Sequence, residues 1–196
     1  MTKTKLLFKK VEAEHTIVRA GDNSGKLWIL TSGDISVTTS SDDYGYTMTE
    51  FLHGPLILQP ECAFGVGQRF TRTYKAQTAC SLIIIQKEEV MRLADFSLIF
   101  RINLVNLIST ALQKSSGKYW RRAPQSLQER ITRFLTDRMT YPAGNKQVKI
   151  KMTRLASELN DTRLNISIVL HRMQDDGLVR LGRGRIDIPM AEKLFC

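Results

Sequence analysis

At Gln86 the chain changes its period, and that change bounds what it can fold into. From Thr16 to Gln86 the apolar runs are short and rich in β-branched residues: Thr16-Ile17-Val18, Leu27-Trp28-Ile29-Leu30, Ile35-Ser36-Val37-Thr38 and Ser81-Leu82-Ile83-Ile84-Ile85. Between them lie Ala20–Gly25, Ser32-Gly33-Asp34 and Ser40–Gly45, whose Gly, Asp, Asn and Ser supply turn chemistry. Short strands spaced by such turns predict an antiparallel barrel or double-sheet roll. After Gln86 the spacing becomes helical. The fold class is therefore α+β: an antiparallel β-roll over 1–94, a long helix over 95–123, and a further domain over 124–196.

The long helix is apolar on more than one side. Leu98, Ile102, Val105 and Leu112 fall along one face, while Phe100, Leu104, Leu107 and Ala111 fall along a neighbouring one. A stripe that wide exceeds what packing on one sheet requires. Such a helix is either wholly buried or shared with its copy in a second chain. In the shared case Leu104, Leu107, Ile108 and Ala111 are expected in the dimer seam. The boundary is expected near Ala123-Pro124, where proline can open a helix at its first turn. Gln125 to Met139 follows with Leu127, Ile131, Phe134 and Leu135 inward, and Tyr141–Asn145 turns the chain.

Thr153 to Ile188 carries the most specific pattern. Thr153 is expected to cap a short helix with Leu155, Ala156 and Leu159 inward. Asn160 then stands where a left-handed residue is needed. Thr162 is expected to cap a second helix, Arg163 to about Asp175, with Ile166, Val169, Leu170 and Met173 buried and Gly177 ending it. A small residue at Ala156, a turn four positions later and apolar residues at Ile166 and Val169 make helix-turn-helix spacing. Leu178–Leu181 and Arg185–Ile188, joined by Gly182-Arg183-Gly184, read as a hairpin with a basic tip, a wing. Val148–Lys151 can add a third strand.

Charge falls where that pattern lies. The 196 residues carry 29 Lys+Arg against 19 Asp+Glu, a net of +10. Residues 1–117 contribute +2 of this and residues 118–196 contribute +8. A positive field gathered on the smaller C-terminal part attracts polyanions, nucleic acid first among them. With 42% hydrophobic and 24% charged residues, disorder is excluded as the dominant state. Cys62, Cys80 and Cys196 are far apart and odd in number, which fits a reducing cytosol rather than a disulfide scaffold. Leu6, Leu7 and Phe8 are too short a run for a signal-peptide core. Leu98 to Leu112, broken by Arg101, Asn103 and Asn106, falls short of the ~20 apolar residues of a membrane span. An iron–sulfur cluster needs four thiolates, and His15, His53 and His171 stand apart, so neither cofactor nor metal is expected. No nucleophile triad, phosphate loop or paired carboxylates suggest an enzyme. A cupin-like binding or catalytic β-roll, with C-terminal helices that only pack on it, is the alternative. It leaves Arg180, Arg183 and Arg185 beside Arg163 without a use.

With these features in one order, the chain resembles the cyclic-AMP receptor protein / fumarate-nitrate reductase regulator (Crp/Fnr) family of bacterial transcription factors. The strongest stretch runs from Thr153-Arg154-Leu155-Ala156 through Asn160-Asp161-Thr162-Arg163 to Asp176-Gly177-Leu178-Val179. Arg19-Ala20-Gly21-Asp22, Leu27–Gly33 and Thr78–Leu82 are similar to the family's sensor half. The resemblance implies a cyclic-nucleotide-binding-like roll (a double-stranded β-helix), a dimerisation helix and a winged helix-turn-helix. It further implies a cytoplasmic homodimer on a palindromic DNA operator, with RNA polymerase as a further partner. Arg163 and Asn165 would reach base edges, Thr153, Thr162, Arg183 and Arg185 would grip mainly phosphates, and Arg154 would also face DNA. Leu164 and Ile168 replace the family's Glu and Arg readers, so a different operator is expected, with apolar contact to thymine methyl groups as a substitute. In the sensor the Gly-Glu pair is missing and Arg69 is followed by Phe70. Arg69 and Arg72 remain the effector-phosphate candidates. A buried cyclic nucleotide would lack partners for its polar groups, so none is expected and the effector stays unassigned.

Overall fold

The computed structural model describes residues 5–116 and 122–195. Cys196 and the end of the expected 95–123 helix lie outside the described residues. The chain forms two compact units, Met1–Ser36 with His53–Arg121, and Val37–Leu52 with Arg122–Cys196.

In the first unit, β1 (Leu6–Val11), β3 (Lys26–Ser32), β6 (Leu56–Leu58) and β8 (Cys80–Gln86) form an antiparallel sheet in the order β1-β8-β3-β6. A second pair joins β2 (Thr16–Val18) to β7 (Thr73–Ala76). Alternation along the strands sorts the two faces. Leu30 stands opposite Leu82 and Trp28 opposite Ile84 on one face. Leu27, Ile29, Ile83 and Ile85 turn the other way and meet Val90, Leu93, Phe100 and Leu104. Those last four belong to α1 (Lys87–Phe96) and α2 (Leu98–Ser116). The long helix expected over 95–123 thus begins at Leu98, separated from α1 by Ser97, which is extended at φ −121° and ψ 109° and whose hydroxyl accepts from the Phe100 N–H at 3.3 Å. Leu6–Phe8, read only as an apolar run, is half of edge strand β1. Gly33, at φ +104°, joins β3 to β4 (Asp34–Ser40); a Cβ there would stand 2.6 Å from the Ala79 carbonyl oxygen.

In the second unit, β5 (Tyr46–His53), β9 (Lys146–Ile150), β10 (Arg180–Gly182) and β11 (Arg185–Ile188) lie in the order β10-β11-β9-β5. Around them pack α3 (Leu127–Asp137), α4 (Met152–Leu159) and α5 (Arg163–Asp175). The helix α3 begins three residues after Pro124, because Ser126 is its cap and accepts from the Glu129 N–H at 3.1 Å. Proline precedes the helix here instead of opening it. Met48 pairs with Val148, which pairs with Ile186, and all three enter one core with Ile131, Leu135, Leu155, Ile166 and Leu170. Val37–Leu52 was expected with residues 1–94; ladder pairing of β5 to β9 groups it with the C-terminal unit.

Glu50 and Lys146 fix that ladder. They stand opposite each other with side chains 1% and 0% exposed, Nζ 3.6 Å from Oε1. The carboxylate also accepts the Thr140 and Tyr141 N–H groups, at 3.1 and 3.0 Å, and Lys146 donates to the Ala143 carbonyl at 2.6 Å. Burial pulls the ammonium below the ordinary lysine range, and Glu50 acts against that shift. Removing one partner from a buried pair leaves an uncompensated charge. Glu50→Ala is expected to lower unfolding free energy by ~3–5 kcal/mol, with Glu50→Leu/Lys146→Met recovering most of it in urea titrations. Equal stability of Glu50→Ala and the parent would contradict this role.

Candidate nucleic-acid interface

The helix-turn-helix is built from α4, a three-residue connection (Asn160, Asp161, Thr162) and α5. Leu155, Ala156 and Leu159 bury one side of α4. Its cap is Lys151, which makes no side-chain bond, so Thr153 lies inside the first turn, exposed, and does not cap as expected. Asn160 is left-handed at φ 48° and ψ 54°, and the Asp161 N–H returns to the Ala156 carbonyl at 3.1 Å. Thr162 caps α5 by accepting the Asn165 N–H at 3.2 Å.

Two residues outside the expected set hold this turn. Arg130 of α3 donates to the Leu159 carbonyl at 2.8 Å and to Asp161 Oδ2 at 2.5 Å. Asp161 Oδ1 accepts the Thr162 N–H at 2.7 Å and the Asn165 side-chain amide at 2.9 Å. The Asn165 amide first, then the Thr162 N–H and Arg130, hold the Asp161 carboxyl below the ordinary carboxylate range. Arg130 therefore orients Asn165 through Asp161. No sequence signal singles it out, since it sits at an ordinary helix position.

The helix buries Ile166, Leu170 and Met173 and leaves Arg163, Leu164, Asn165 and Ile168 exposed together at its N-terminal end. The wing is tied to the same frame: Leu181 N–H donates to Gln174 Oε1 at 2.8 Å, and Ile150 N–H to the Gly184 carbonyl at 3.0 Å. Arg183 and Arg185 are exposed on it, and Arg185 Nε meets Asp187 Oδ2 at 2.9 Å. A cavity of 320 Å³ separates wing and helix, lined by Met152, Ser167, His171, Leu181, Arg183 and Ile186 among others. Arg154, expected among the DNA-facing residues, is held inside the unit. Its Nη2 lies 2.7 Å from both Asp43 and Glu158, so two carboxylates already compensate it.

In the other unit, Arg69 donates to the Gly21 carbonyl at 2.8 Å. Arg72 and Thr71 donate their backbone N–H groups to Gln59 Oε1, each at 3.1 Å. Gln59 is itself buried and left-handed, at φ 37°. Among the described residues, no group of three or more His, Cys, Asp or Glu side chains is placed to hold a metal ion, and no helix is long and apolar enough to cross a membrane.

Two family models match this chain: a cyclic nucleotide-binding domain over residues 8–95 and a Crp-like helix-turn-helix domain over residues 129–195. The chain belongs to the Crp/Fnr family. It is a DNA-binding transcriptional regulator with a cyclic-nucleotide-binding-like roll and a C-terminal helix-turn-helix. A curated relative, the cAMP-activated global transcriptional regulator CRP of Haemophilus influenzae, is 20% identical, over 87% of this chain and 78% of its own. The global regulator CLP of Xanthomonas campestris, described as responsive to c-di-GMP, shares the fold at a TM-score of 0.51. It is 20% identical, and the match covers 94% of both chains. A transcriptional regulator from Thermotoga maritima matches at a TM-score of 0.53 and 16% identity, over 60% of this chain and 89% of its own.

Proposed function

We propose that this Crp/Fnr regulator acts in the cytoplasm as a homodimer, reads a two-fold symmetric operator with α5 and the wing, and does so without a cyclic nucleotide or catalytic activity. The carrying observation is the capped N-terminal end of α5, where Arg163 and a positioned Asn165 stand exposed in a unit that also holds the basic wing. Two copies would address half-sites about one helical turn apart, ~34–36 Å. RNA polymerase is the natural further partner of such a regulator.

The dimer seam runs along α2. Leu104, expected there, packs into the roll's own cluster. Leu107 and Ala111 share that side by helical spacing and are half-buried, as is Ile108 at its margin. Leu98, Ile102 and Val105, spaced four and three residues apart, are exposed on the opposite side. That spacing is the d, a, d of a heptad seam.

The relatives' names include activation by cAMP and response to c-di-GMP. In this roll Phe70 and Tyr74 are fully buried against each other, ring centroids 6.1 Å apart, and Trp28 meets Phe70 edge-on. Gln59 occupies the two convergent N–H groups of Thr71 and Arg72, a place where an anion's oxygen could otherwise sit. These packed and satisfied groups support a roll that works without a nucleotide.

Two measurements check this reading. Arg163→Ala should cost ~1–3 kcal/mol on the preferred duplex and relax preference at one base pair per half-site. Arg183→Ala should weaken binding alike on all sequences and reduce the salt slope by about one. Wild-type binding by both variants would sink the assignment of α5 and the wing as the reading surface. For the seam, Ile102→Lys should turn a dimer into a monomer in sedimentation at micromolar concentration; an unchanged dimer would place the interface elsewhere.

A further inference from the structure

On α5 two side chains stand out against the polar character of the exposed face. Leu164 is 69% exposed and Ile168 is 44% exposed. The core makes no demand on them, because Ile166, Leu170 and Met173 fill the buried side at 0% exposure each. One helical turn apart, they form a single apolar stripe. Arg163 and Asn165 flank it at the N-terminal end, and His171 and Arg172 lie just beyond, all exposed. Neither the cap at Thr162 nor the bonds of Asp161 involve either residue.

An apolar stripe with Arg163 at one end and Arg172 beyond the other suits a polyanion that carries apolar groups between its charges. In the major groove of B-DNA the exposed apolar substituent is the C5-methyl of thymine, while G·C pairs present N7, O6 and N4 there as hydrogen-bonding atoms. We propose that Leu164 and Ile168 read thymine methyl groups, so that each half-site carries thymine where they meet it. The inference rests on α5 being the reading element. Against a G·C pair the same side chains would take water from N7, O6 or N4 without offering a hydrogen bond, a desolvation cost with no return. Against thymine they remove apolar surface from water on both partners. The hydrogen bond from Asn165 to Asp161 holds the neighbouring polar reader beside the stripe.

The test uses the full chain and the duplex it enriches from random sequence. Each thymine of that duplex is replaced in turn by deoxyuridine, which removes the methyl and keeps the base pair. One or two thymines per half-site should weaken binding roughly fourfold when replaced, the factor that one buried methyl is worth. Leu164→Ala and Ile168→Ala, exposed substitutions toward a better helix former, should lose a similar factor on the thymine duplex. They should then no longer distinguish thymine from uracil at the matching position. An enriched site whose thymines all tolerate uracil, or variants that keep the full thymine preference, would overturn this inference and leave the regulator reading standing. Enrichment of no site would overturn both.

Discussion

The buried pair of Glu50 and Lys146 is the contact on which the DNA-reading unit depends. It lies at one end of the β5–β9 ladder, and a slip of one residue in that ladder would put the two charges on opposite faces. Three backbone groups of the Thr140–Ala143 turn converge on the pair and the two charges meet each other, which satisfies the demand that a buried charge be paired and hydrogen-bonded. Fixing β9 fixes β11 through the Val148–Ile186 pairing, and β11 carries one side of the wing. A strand that precedes the helices by some hundred residues in sequence is thus part of the frame that holds the wing.

The recognition helix is positioned in a comparable way, by polar contacts at the turn and apolar contacts behind it. Arg130 bridges α3 to the Leu159 carbonyl and to Asp161, and Asp161 holds both the helix cap and Asn165. Ile166, Leu170 and Met173 then seat α5 in the same core that holds Met48 and Val148. Rigid supports of this kind suit a site whose selectivity rests on side chains held within fractions of an ångström. The arginines divide accordingly. Arg130 and Arg154 are compensated by carboxylates within the unit, whereas Arg163 and Arg183 are exposed on the helix and the wing.

The helix-turn-helix was legible in the sequence because its signals are local. Asn160 adopts the left-handed conformation that its residue type tolerates, Thr162 caps, and α5 spans Arg163–Asp175 as its spacing predicts. Features that depend on distant partners were not legible. In β5, Met48 and Glu50 both point inward, so a carboxylate breaks the apolar alternation, and its reason is a lysine at position 146. Arg154 looks like a free cation until Asp43 is placed beside it. On α2 two apolar faces compete, and only the sheet beneath decides that Phe100 and Leu104 belong to the roll. Thr153 and Pro124 carried cap and first-turn preferences, yet Lys151 and Ser126 hold the caps.

The proposed function turns on two identical recognition helices reading one symmetric site. Selection of the full-length protein on random duplexes, followed by footprinting of the enriched pool, tests it most directly. The expected result is a two-fold symmetric sequence with half-sites about one helical turn apart, ~34 Å between their centres, both protected together. A single unrepeated half-site, or a pool that stays random while the protein binds it, would rule out paired reading by two helices.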